Sequence, residues 1–171
     1  MPLAQPAGVR LRPTTGMLRE AIFNILGDRI EGARVADLYA GTGALGMEAL
    51  SLGASHVTFV ESESRCCTAI LSSIARAGFR ERTIVLRGKL PAALTSLAEH
   101  FDVILLDPPY TEETASQTLE GTAPHLLPGG IVVYEHASRY NPPERPRGLV
   151  RAERRVYGDS AIALYVLQEG E

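Results

Sequence analysis

Val35-Ala36-Asp37-Leu38-Tyr39-Ala40 leads directly into Gly41-Thr42-Gly43-Ala44-Leu45-Gly46, and Met47, Leu50 and Leu52 follow in a helical pattern. An apolar run of this kind reads as a strand buried on both faces, which belongs in a parallel sheet covered by helices. The glycines permit positive φ and a close backbone approach to a ligand, and the helix start leaves N–H groups without intrahelical partners. This strand, turn and helix unit restricts the chain to an α/β fold with a ligand crevice at the strand ends.

The rest of the chain continues the alternation. Thr14 or Thr15 can cap a helix over 14–28 whose Leu18, Ala21, Ile22, Ile25 and Leu26 share one face, ending near Gly27. Strands read at 56–60, 83–86, 103–106 and 131–135, with helices at 64–77, at 91–100 behind Pro91, and at 112–127. Pro142, Pro143 and Pro146 make 136–148 a loop. The runs 149–157 and 160–167 flank Gly158-Asp159, a two-residue hairpin turn. The expected fold is therefore a mostly parallel, seven-stranded sheet with a C-terminal antiparallel hairpin and helices on both faces. One domain is expected over 1–171, with a core at 34–168.

Asp107-Pro108-Pro109-Tyr110 stands directly after the apolar run 103–106. The Asp107 carboxylate and the Pro108 carbonyl can each accept one N–H of an exocyclic amine, and the Tyr110 ring offers a stacking surface for the base that carries it. Neither proline has an N–H, so the turn sets acceptors at the strand end with few competing donors. The glycine turn also fits a dinucleotide fingerprint, with Glu61 near the place of a ribose-binding acid. Asp37 argues otherwise, because a carboxylate just ahead of the glycines repels a pyrophosphate but pairs with the ammonium of a methionine moiety. S-adenosylmethionine brings that ammonium and a ribose diol for Glu61. Asp37, Glu61, Gly88 and Asp107 all fall at strand ends, so one crevice can hold cofactor and base.

The formal net charge of −3 gives nucleic acid no general attraction. Charge is uneven, however: Arg139, Arg145, Arg147, Arg151, Arg154 and Arg155 stand against only Glu144 and Glu153 in that stretch. This patch reads equally as a phosphate-binding surface and as a solvated face, since Lys89 is the only lysine and arginine is the default cation here. Adjacent Cys66 and Cys67 form neither a disulfide framework nor a metal site, which fits a reducing cytoplasm. No apolar run is long enough to span a bilayer. His136 reads as a loop histidine.

The combination of Arg12-Pro13-Thr14-Thr15, Arg19-Glu20-Ala21-Ile22-Phe23-Asn24, the unit from Asp37 to Leu50, Phe59-Val60-Glu61, the Asp-Pro-Pro-Tyr turn and Arg155-Val156-Tyr157-Gly158-Asp159 resembles the bacterial 16S rRNA guanine-N2 methyltransferases of the guanine 966 type. The resemblance runs from Arg12 to about Tyr165. It implies a Rossmann-like class I methyltransferase with S-adenosylmethionine as cofactor, S-adenosylhomocysteine as product, and no metal. It further implies a cytoplasmic monomer acting on 16S rRNA in the small ribosomal subunit or an assembly intermediate. The expected catalytic turn is Asp107, Pro108, Pro109 and Tyr110. The expected cofactor residues are Asp37, Ala40, Gly41, Thr42, Gly43, Glu61, Ser62, Gly88 and Asp107, with Arg12, Thr14, Arg155 and Tyr157 toward RNA. This sequence departs from the family pattern in a shortened basic segment over 1–12, in Gly16 and Ser73, and in Lys89, which stands where an acid often lies near the adenine amine. Lysine only donates, so that side chain cannot accept from the amine and a backbone acceptor could serve instead. Rival readings are an amino-methyltransferase for another RNA guanine or for adenine N6 in DNA, and a cofactor- or RNA-binding module without turnover. A dehydrogenase leaves Asp37 and the Asp-Pro-Pro-Tyr turn unexplained.

Overall fold

The computed structural model describes residues 15–109 and 112–169. Seven strands form one sheet: β1 Arg34–Leu38, β2 His56–Glu61, β3 Thr83–Arg87, β4 Phe101–Leu106, β5 Leu126–Ala137, β6 Leu149–Tyr157 and β7 Ser160–Leu167. Their order is β3-β2-β1-β4-β5-β7-β6. The first five are parallel, while β7 runs antiparallel to both β5 and β6. The chain passes from β1 outward to β2 and β3, then crosses back to β4 on the other side. That reversal opens a crevice beyond the carboxyl ends of β1 and β4.

Burial on both faces explains the continuous apolar runs. On one face, α1 Gly16–Leu26, α2 Ala44–Ser51 and α3 Ser64–Ala77 pack Leu18, Ile22, Leu50, Ile70 and Ile74 against Val35, Phe59, Val103 and Val133. On the other, Leu94 and Leu119 cover Leu38, Ile104, Leu106 and Tyr165. Thr15 caps α1, its hydroxyl accepting from Leu18 N–H at 3.2 Å, and Gly27 ends the helix.

Two expected helices are much shorter than the pattern suggests. Over 91–100 only the 3-10 turn Ala92–Ser96 forms. Its Thr95 hydroxyl bonds back to Ala92, and the chain turns extended at Leu97 so that Glu99 reaches Arg34 and His56. These tertiary contacts outweigh local helix preference. Over 112–127, α4 is confined to Ala115–Gly121. At its start the Thr114 hydroxyl and N–H both bond to Glu112 Oε1, and past its end the Thr122 hydroxyl bonds the Leu119 carbonyl before Pro124, which has no N–H. The freed residues join β5, which starts at Leu126 rather than 131 and reaches Ala137 through an irregular register opposite Phe101 and Val103. No helix among the described residues is long and apolar enough to cross a membrane.

Candidate active site

The glycine turn after β1 is bent sharply at its first residue. Tyr39 has φ 60°, an uncommon conformation for a bulky side chain, and its hydroxyl lies 2.8 Å from Thr118 Oγ1. Ala40 N–H then bonds the Val60 carbonyl at 3.0 Å, and Gly43 N–H closes onto the Ala40 carbonyl at 2.8 Å. Gly41 and Gly43 adopt φ 59° and 82°, so the turn needs both glycines. Gly46 serves a different purpose. A Cβ there would lie 2.3 Å from Phe59 Cε1 and 3.0 Å from Asp37 Oδ2, so only glycine lets α2 rest on β2.

Two carboxylates hold this turn. Glu61 accepts from Gly41 N–H through Oε1 and from Glu63 N–H through Oε2, each at 2.8 Å, tying the loops after β1 and β2 together. Its backbone carbonyl accepts from Gly88 N–H at 3.0 Å and brings in the loop after β3. Asp37 is 1% exposed and lies beneath the turn, where Oδ2 accepts from Gly46 N–H at 3.0 Å. Burial pushes its carboxyl well above the usual range. The Gly46 bond works against that shift, and the nearby Asp107 and Glu61 carboxylates add to it. Asp107 is half-buried beyond β4, its N–H 3.4 Å from the Leu38 carbonyl.

Three carboxylates, Asp37, Glu61 and Asp107, thus gather where β1, β2 and β4 end. Such a crevice suits a cationic ligand and disfavours an anionic one. No cluster of His, Cys, Asp and Glu suited to a metal occurs among the described residues. Carboxylates have about four lone-pair sites, so Glu61 retains acceptor capacity toward a hydroxyl pair. Ala40 and Thr42 are half-buried in the turn, Ser62 is exposed beside Glu61, and Lys89 points outward after Gly88. Pro108 is buried and Pro109 exposed. Tyr110, Arg12 and Thr14 lie outside the described residues.

The hairpin places Tyr157 at the crevice end of the sheet, since β6 runs in the same direction as β5 and Ser138 N–H bonds the Asp159 carbonyl at 2.8 Å. Arg155 is exposed there and bonds Glu153 at 2.7 Å. The arginine patch divides. Arg151 binds Asn141, the Pro142 carbonyl and Glu144, and Arg154 binds the Ser138 and Tyr140 carbonyls, so both hold the 138–147 loop in place. Arg139, Arg145 and Arg147 remain exposed. The sequence pattern held no sign of this division, because one residue type serves both purposes. The strand expected to end at Glu135 runs on to Ala137, so His136 lies in β5, 3% exposed, rather than in a loop, and the pattern gave no sign that it and Glu135, 1% exposed, are buried. The signal that could have found them is the apolar run just before, whose strand continues past its last apolar residue.

The model of a family described as "Conserved hypothetical protein 95" matches residues 1–166. YlbH of Bacillus subtilis (strain 168), provisionally named an rRNA methyltransferase, is 35% identical over 164 residues, covering 93% of this chain and 89% of that protein. "Ribosomal RNA small subunit methyltransferase D" of Escherichia coli (strain K12) is 28% identical over 167 residues, covering 95% of this chain and 83% of that one. Among solved structures, a conserved hypothetical protein of Streptococcus pyogenes superposes with a TM-score of 0.79 at 34% identity, over 88% of this chain and 95% of that chain.

Proposed function

The chain belongs to the family described as "Conserved hypothetical protein 95", and on that footing we propose that it is an rRNA methyltransferase that methylates the exocyclic N2 amine of a guanine in 16S rRNA. The observation that carries the reading is the gathering of Asp37, Glu61 and Asp107 around the glycine turn. A pyrophosphate cofactor would meet the Glu61 and Asp107 carboxylates as like charges and a buried Asp37 that an anion keeps protonated, whereas the sulfonium and ammonium of S-adenosylmethionine are drawn to the first two and favour ionisation of the third. When bound, that cofactor supplies a methyl group already activated by its positive sulfur.

The chain's own residues supply binding and orientation. Asp37 acts on the ammonium from beneath the turn, and Glu61 accepts from the ribose hydroxyls while still holding Gly41. The Lys89 side chain points outward, which leaves backbone groups near Gly88 to meet the adenine. At the reacting end, the Asp107 carboxylate and the Pro108 carbonyl accept from the two N–H groups of the target amine. A guanine amine is a weak nucleophile because its lone pair is delocalised into the ring. Acceptors out of the base plane favour the pyramidal nitrogen of the transition state, so the rate gain comes from orientation and electrostatics. Tyr110 stacks on the base and offsets about 1–3 kcal/mol of the cost of taking it out of its stack. RNA contacts fall to the exposed Arg139, Arg145 and Arg147, and to Arg12, Thr14, Arg155 and Tyr157. The protein acts as a cytoplasmic monomer on the small subunit or its assembly intermediate.

The test is to incubate the protein with methyl-labelled S-adenosylmethionine and small ribosomal subunits lacking the modification, then digest the RNA. Label in N2-methylguanosine at one site is the expected result. Label in N6-methyladenosine would move the target to adenine, and absence of cofactor binding would overturn the reading.

A further inference from the structure

His136 has no task in the mechanism above, yet it is built into the same rim. Its ring lies between Tyr134, with centroids 5.2 Å apart, and Tyr140, which stands edge-on at 5.8 Å. Nδ1 is 2.8 Å from the Ala137 carbonyl oxygen. A carbonyl only accepts, so Nδ1 carries the hydrogen. Burial lowers the imidazole's pKa; the Ala137 bond raises it in part, and Arg154 and Arg151 lower it further. The ring is therefore neutral at pH 7 and Nε2 presents a bare lone pair. That atom is buried and has no hydrogen-bond partner. Buried acceptors are rarely left unmet, and one that is points to a donor still to come.

The sheet register shows where the donor enters. Leu106 pairs with Tyr134 across β4 and β5, and Pro108 and His136 each follow two residues later in the chain. Both line a cleft of about 360 Å³ with Pro109, Ser116, Tyr134 and Tyr140. Tyr140, 40% exposed, stands edge-on to the imidazole within that cleft. The chemistry of the target matches. The Watson–Crick edge of guanine sets an N1–H donor next to the 2-amine, whereas an adenine-type ring has a lone pair at N1.

We propose that His136 Nε2 accepts the N1–H of the target guanine while Asp107 and Pro108 hold its 2-amine, which makes His136 a specificity-determining residue. The inference rests on the methyl-transfer reading of the site. A base with a lone pair at N1 would set acceptor against acceptor and leave both unpaired, and sites built to meet a donor reject such analogues strongly.

The experiment uses reconstituted small subunits that carry either guanine or 2,6-diaminopurine at the methylated position. The analogue keeps the 2-amine but has no hydrogen on N1. The wild-type protein should favour guanine in kcat/KM by about tenfold or more. His136→Leu should lose about tenfold on guanine and bring the ratio of the two substrates close to one, with cofactor affinity by calorimetry unchanged. His136→Gln, whose amide oxygen accepts, should recover most of the preference. A wild-type enzyme indifferent to the analogue overturns the inference without recourse to any variant, as does a His136→Leu protein that keeps the wild-type ratio. Failure of the wild type to methylate either subunit would instead bring down the methyl-transfer reading, and this inference with it.

Discussion

Gly43→Ala tests whether the turn between β1 and α2 is fixed in the way described. Gly43 sits at φ 82°, and a Cβ there would lie 3.1 Å from Ile70 Cγ1 and 3.3 Å from Phe59 Cε1. Gly41 is the internal control: its φ is 59°, but a Cβ there meets nothing within 4 Å. At both positions a left-handed conformation costs alanine roughly 1–2 kcal/mol, part of which is offset because alanine also restricts the unfolded chain. At Gly43 the added methyl must in addition displace Ile70 and Phe59, both 0% exposed and closely packed, for a further penalty of about 1 kcal/mol. We expect Gly41→Ala to destabilise by about 1 kcal/mol and Gly43→Ala by about 2 kcal/mol. In a protein of this size that is a fall in Tm of about 3 °C and about 6 °C respectively. Thermal and urea unfolding of the free proteins measure the pair. Equal losses would refute the packing argument, and no loss at either position would refute the backbone geometry of the turn itself.

Asp37→Asn should remove a pH dependence whose sign is fixed by burial. A carboxyl whose folded pKa is raised stabilises the fold fully below the ordinary value of about 3.9, and that stability is lost as pH rises through the folded pKa. Urea unfolding between about pH 4 and pH 8 should therefore show a decline in the wild type that is shallower in the variant. S-adenosylmethionine affinity should follow the opposite course, rising with pH in the wild type as Asp37 ionises and staying flat and weaker in Asp37→Asn; calorimetry showing unchanged affinity would remove Asp37 from the site. Asp107→Ala should keep cofactor affinity within about threefold but lower turnover by about a hundredfold or more, and equal loss of both would contradict its assigned role. Arg154→Ala should lower stability by about 1–2 kcal/mol by freeing the Ser138 and Tyr140 carbonyls, without changing how RNA affinity depends on salt. Replacing Arg139, Arg145 or Arg147 should instead reduce the salt slope by about one for each phosphate no longer neutralised, and identical behaviour of all four variants would erase the division of the patch.

The elements legible in advance were those whose signals are local. Gly78 and Gly27 stop helices that end where expected, and Gly158-Asp159 joins β6 and β7 with the expected bounds. The helices expected over 91–100 and 112–127 were not legible, because their ends were set by distant partners. Glu99 is drawn to Arg34 and His56 on neighbouring strands, and Leu126 pairs with Phe101.

Sequence alone determined that Asp37, Glu61, Gly88 and Asp107 fall at strand ends, since an apolar run followed by glycine, acid or proline is a short-range pattern. It also determined the α/β plan, because strands buried on both faces need helices above and below. Tertiary structure alone decided what each of these groups touches. Asp37 went under the turn because glycine at position 46 lets α2 rest on Phe59, and Glu61 became a clasp for Gly41 because β2 lies beside β1. Arg151 and Arg154 were drawn inward by carbonyls of a loop that has no strand of its own, and His136 was buried with one nitrogen unmet because β5 runs on past Tyr134 beside β7. A side chain's partner depends on which strands become neighbours, and that order is settled by closure of the whole sheet rather than by any residue within it.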